Sequence, residues 1–134
     1  MEIVYTITDW YDGAQAGVAG FNGQPHYYES MWIRDESKYT QDDSMLFYWL
    51  TPIDVETFQL AIEDWNIWSR WQAAFRLGIT TRDTHPALPE DRMRHDEISK
   101  VLVEKLVVIP GHSVKARGAF RYGPENGVEW TLVS

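Results

Sequence analysis

The dipeptide Asn22-Gly23 constrains this chain more tightly than any other feature, because it stands between two strand-like runs. Asn and Gly tolerate the two positive φ angles of a type I′ turn, whose twist matches that of the flanking strands. With Asn22 and Gly23 as the loop, Phe21 faces Gln24, Ala19 faces His26 and Gly17 faces Tyr28. Small residues then lie opposite large rings, so an aromatic side chain covers the strand glycine.

Further strands follow from period-two patterning. Ile3, Tyr5 and Ile7 alternate with Val4, Thr6 and Thr8, and the run ends at the turn signal Asp12-Gly13. Met45 to Leu50 is a continuous apolar run of strand length, as expected of a strand buried on both faces. Val114 to Tyr122 and Val128 to Leu132 read as two more strands around the turn Pro124-Glu125-Asn126-Gly127. The stretch from Thr51 to Leu77 reads as a helix, with Thr51 as N-cap, Pro52 in the first turn and Gly78 as its stop. Phe58, Ile62, Trp65, Trp68, Trp71 and Phe75 spread over more than half of its circumference, so it must pack on more than one side. Trp65, Trp68 and Trp71 advance by three, so their rings are expected to drift around the axis instead of stacking. A second helix is expected over about residues 89–106, with Ile98, Leu102 and Leu106 on one stripe.

Strands, then helices, then strands imply an α+β fold. The expected architecture is a curved antiparallel sheet of five to six strands, with a partly closed barrel as the variant. It packs on the long Trp-rich helix, and the second helix precedes a C-terminal hairpin. Residues 1–134 are read as a single domain.

Seven Trp, seven Tyr and five Phe exclude intrinsic disorder, which lacks the apolar surface to offset chain entropy. The absence of cysteine excludes disulfides and thiolate chemistry, and four scattered histidines make a tetrahedral metal site improbable, so no metal and no cofactor are expected. No apolar run approaches a membrane span and the N-terminus has no basic leader, so a soluble, cytoplasmic protein is expected. The net charge is -8, with a local balance of -6 over residues 1–50 and +1 over residues 101–134. Such a chain repels nucleic acid and is attracted to basic surfaces.

No phosphate loop, zinc-protease helix or nucleophile elbow is present. The remaining catalytic candidates are His26 with Asp9 or Asp12, a histidine needing a carboxylate partner for acid–base work; Glu29 falls on the opposite face of the strand. His95 reads as solvent-facing or cap-adjacent, His85 as a loop residue bonded to backbone, and Lys115, Arg117 and Arg121 as the guarded face of an edge strand.

The sequence is compatible with two functions. The favoured one is a small acidic protein-interaction module, of the inhibitor or immunity type, with a basic partner. It would bind through Asp35, Glu36, Asp42 and Asp43 of the acidic 35–43 loop and through the aromatics Trp68 and Trp71. The alternative is a small-molecule-binding or enzymatic domain with an aromatic pocket between sheet and long helix, lined by His26, Tyr28, Glu63 and Trp68. Surplus tryptophan also allows a homodimer.

Overall fold

The computed structural model of the protein describes residues 1–34 and 46–133. Six strands close into a barrel: β1 (Glu2–Trp10), β2 (Ala14–Phe21), β3 (Gln24–Ser30), β4 (Phe47–Pro52), β5 (Val114–Arg121) and β6 (Gly127–Leu132). Every strand pairs antiparallel with its neighbours in sequence, and β1 closes the ring against β6. The described helices are α1 (Met31–Arg34), α2 (Val55–Arg76) and α3 (Arg92–Lys105), with 3-10 turns at Arg82–Thr84 and Pro89–Asp91. The expected α+β class is present, and the antiparallel sheet takes the barrel variant, with six strands and full closure. Contacts group the chain into two compact units: Met1–Asp54 with Leu106–Ser134, and Val55–Lys105.

The first unit is the barrel. Its β2–β3 hairpin has the expected register, with Phe21 opposite Gln24, Ala19 opposite His26 and Gly17 opposite Tyr28. Asn22 and Gly23 hold the positive φ angles of the turn, 53° and 74°. The Glu2 carboxylate accepts the Asn22 N–H at 2.7 Å and ties this turn to the first strand. Val4, Tyr28, Tyr48, Leu50, Ala116 and Val128 are buried in one core cluster. Tyr28, Tyr48, Phe120 and Trp130 bring their rings together at centroid separations of 5.4 to 6.0 Å. Small residues leave the space. A Cβ on Gly118 would lie 2.6 Å from Trp130, and one on Gly17 would run into the Thr6 carbonyl. A small barrel filled this way is a packed core and not a channel.

Each buried polar tip in this cluster has a backbone partner. Tyr28 donates to the Thr6 carbonyl at 2.9 Å, Tyr48 to the Ala14 carbonyl at 2.6 Å, and the Trp130 indole to the Gly20 carbonyl at 2.9 Å. The β1–β2 ladder slips register after Val4, and the Thr6 hydroxyl accepts the Val18 N–H in place of a ladder carbonyl.

The structure departs from several of these expectations. The long helix starts at Val55 and not at Thr51, because Thr51 and Pro52 complete β4 opposite Tyr27 and His26. Thr51 is buried, and its hydroxyl meets that of Ser113 at 2.7 Å. From Phe47 to Leu50 burial alternates, with Tyr48 and Leu50 enclosed while Phe47 and Trp49 stay half-buried, so this run is not buried on both faces. β5 is not an edge strand, since it pairs with both β4 and β6. Lys115 lies over the Trp49 ring instead, 5.5 Å from its centroid. The short helix α1 was not foreseen; the buried Ser30 hydroxyl caps it by accepting the Ile33 N–H at 3.3 Å.

The second unit is helical. α2 ends as expected at Gly78, φ 73°, with the Ile79 N–H on the Ala74 carbonyl and the Gly78 N–H on the Phe75 carbonyl. Ile67 of α2, Ile98 of α3 and Ala87 between them form its core, with Leu60 and Leu102 packed alongside. Trp65 and Trp68 do not drift apart. Their rings stack at 4.9 Å, because an i, i+3 spacing leaves residues only about 60° apart around the axis.

Candidate functional site: an aromatic and acidic patch on the barrel

Of the residues singled out from the sequence, Asp35, Glu36, Asp42 and Asp43 lie outside the described residues. His26 and Tyr28 belong to the barrel, whereas Glu63 and Trp68 belong to the helical unit. The Tyr28 ring is wholly enclosed in the barrel core, so it cannot line a ligand pocket on the barrel's outside. His26 donates from its ring to the Gln24 carbonyl at 2.9 Å and packs edge-on against Phe21.

The catalytic pairing of His26 with Asp9 or Asp12 is not formed. His26 sits opposite Ala19 of β2 and Asp9 opposite Ala16. Three residues of offset along a strand is about 10 Å, beyond any hydrogen bond. Glu29 does face the other way, as expected, and accepts the Tyr27 hydroxyl at 2.7 Å.

In the helical unit a polar seam joins α2 to α3 and to the 3-10 turn that precedes it. Arg94 pairs with Glu63, His95 with Asp64 at 2.7 Å, and Arg70 with Asp91 at 3.0 Å. The Arg94 guanidinium holds the Glu63 carboxyl below the usual carboxylate range. His95 is therefore a half-buried partner of Asp64 in the first turn of α3, near the helix start as one expectation had it but not solvent-facing. Ser99 stands 3.3 Å from its other ring nitrogen, which gives the order serine, histidine, aspartate. A hydrolase also needs backbone N–H groups beside the serine to hold the oxyanion. Ser99 is inside α3, where those N–H groups are taken up by the helix itself. The seam clamps two helices together; it is not a nucleophilic site.

Trp71 was expected on a partner-facing surface, yet it is only 7% exposed and its indole N–H donates to the Thr84 hydroxyl at 2.8 Å. The exposed aromatics are elsewhere. Trp10 is 57% exposed, Tyr11 49% and Tyr122 47%, all gathered about the β1–β2 turn. Trp10 meets Tyr122 edge-on with centroids 4.9 Å apart, and Tyr11 stacks on Trp32 of α1, also at 4.9 Å. The chain can hold these rings out because the turn is braced from below. The Tyr122 hydroxyl accepts the Ala14 N–H at 2.8 Å, and the buried Gln15 amide donates to the Tyr11 carbonyl at 2.9 Å. The Gln15 amide oxygen has no hydrogen-bond partner among the described residues. Asp12, with φ 52°, takes a left-handed conformation that Asp tolerates better than most residues, and both Asp9 and Asp12 are exposed beside the rings.

The sequence signals for this patch were Trp10-Tyr11 next to Asp12-Gly13, since an adjacent pair on a strand must turn one ring outward. Trp32 and Tyr122 carried no such signal, because only the barrel's closure brings them to that turn.

The class defined by fold and site is a small closed antiparallel barrel with a helical pair inserted in sequence between β4 and β5. Comparison with protein-family models, with curated proteins and with solved structures gave no match to this chain. Among the described residues no helix is long and apolar enough to cross a membrane, and no group of three or more His, Asp or Glu is placed to hold a metal ion.

Proposed function

We propose that the protein is an acidic protein-interaction module that takes a Lys- or Arg-bearing segment of a partner at the patch around the β1–β2 turn. The observation that carries this reading is the coincidence of four partly exposed rings in two contacting pairs with two exposed carboxylates. Ring faces attract cations, carboxylates pair with them, and Trp and Tyr lose little side-chain entropy when a partner covers them. The chain's charge of -8 adds long-range attraction to a basic partner. An inhibitor or immunity-type role adds that the bound partner loses its own activity.

The test titrates a Lys/Arg-rich synthetic peptide and an acidic control peptide while the Trp10 indole signal is followed by NMR. Saturable binding of the basic peptide alone is expected, weakening as salt rises. Trp10→Ser with Tyr11→Ser, or Asp9→Asn with Asp12→Asn, should reduce affinity by about tenfold or more, equivalent to about 1.4 kcal/mol. Unchanged binding in these variants, or equal binding of the acidic peptide, sinks the proposal.

A further inference from the structure

We propose that a groove in the helical unit is a binding site of its own, for a small anionic ligand built on a planar ring. The groove has a volume of about 560 Å³ and is lined by Trp71, Gln72, Phe75, Arg76, Arg82 and His85. That size falls within the range of small-molecule sites, which are mostly apolar with a few convergent polar groups.

Its wall is an aromatic stack. Trp71 and Phe75, one helical turn apart on α2, lie nearly parallel with centroids at 5.1 Å, and the His85 ring meets Trp71 edge-on at 4.6 Å. Its rim is cationic. Arg82 sits 6.0 Å from the centre of the Phe75 ring, and Arg76 ends the helix. Among the described residues neither arginine has a carboxylate within ion-pair distance, whereas Arg70 and Arg94 of the same unit both do. In a chain of net charge -8, two guanidiniums without an ion pair among the described residues, beside an aromatic wall, form a local positive site. A guanidinium held against a ring still offers N–H groups in its own plane, and these match a carboxylate or phosphate.

The site is also prearranged. The Thr84 hydroxyl accepts the Trp71 indole N–H and donates to the Thr81 carbonyl, and the Arg92 guanidinium donates to the Thr84 and Ala87 carbonyls. These bonds fix the turn that carries Arg82 and His85 to the helix that carries the rings, so a ligand orders little on binding. The charge is opposite to that of the barrel patch, so the two sites select different molecules.

The test follows the Trp71 indole N–H by NMR, assigned with Trp71→Phe. Adenosine monophosphate, indole carboxylate, adenosine and inorganic phosphate are titrated separately into the full chain. Both ring-bearing anions, or one of them, should shift this signal and saturate, and the pair tells phosphate from carboxylate. Adenosine and phosphate alone should bind at least about tenfold more weakly. Arg76→Gln combined with Arg82→Gln should weaken binding by a similar factor without unfolding the chain, since both side chains are exposed. No shift with either ring-bearing anion overturns the site. Full affinity in the double variant overturns the role of the arginines, and phosphate binding as tightly as the nucleotide overturns that of the ring.

Discussion

Tyr28 and Tyr48 show how single residues set the limits of the barrel. Burial pushes both phenols well above the ordinary value of 10.0, with neighbouring tyrosines adding to the effect. A raised value in the folded state means that the folded chain holds its proton more tightly than the unfolded chain. The contribution is complete below the unfolded value and is lost as pH rises past it. Above about pH 10 stability should therefore fall by about 1.4 kcal/mol per pH unit for each of these phenols. Urea unfolding at neutral pH and near pH 11 measures this slope. Tyr28→Phe should remove its share of the slope while costing about 1–2 kcal/mol at neutral pH, because the buried Thr6 carbonyl loses its donor. An unchanged slope in that variant would place the base sensitivity elsewhere. Tyr28 was legible as a ring opposite Gly17. Its enclosure was not, because two strands show only that a residue faces one side, and the barrel decides that the side is closed.

At the scale of elements, local chemistry was enough wherever a backbone angle demanded it. Asn22-Gly23 and Gly78 needed no tertiary information, since few residues tolerate positive φ. Gly78→Ala should destabilise the helical unit by about 1 kcal/mol through the left-handed conformation alone, because a Cβ there meets no neighbouring atom within 4 Å. A thermal melt reports this, and a neutral result would mean that the last turn of α2 relaxes at no cost. Thr51-Pro52 misled for the opposite reason. A threonine followed by proline suits a helix start and also the end of a strand, and pairing with β3 decides between them. The basic stripe of β5 likewise reads as an edge until the chain closes on both sides of it.

At the scale of the whole molecule, the two units carry separate cores of different size. The barrel encloses a connected set of rings, whereas the helical unit rests on Ile67, Ala87 and Ile98 with two flanking leucines. Ile98→Ala should cost about 2–5 kcal/mol in the helical unit. Hydrogen exchange should then rise across residues 55–105 more than in β2 and β3, as expected when opening is local. A uniform rise over the whole chain would show that the two units unfold as one. The sequence by itself determined the turns, the strand alternation, the α+β class and a surplus of aromatic rings, because these follow from backbone angles and periodicity over a few residues. Only the tertiary structure decided which rings are spent on the core and which remain outside. Tyr28 and Trp130 are drawn in because strand closure surrounds them. Trp10, Tyr11 and Tyr122 stay partly exposed at the turn where the strands end. That division depends on residues distant in the chain meeting in space, which no local pattern encodes.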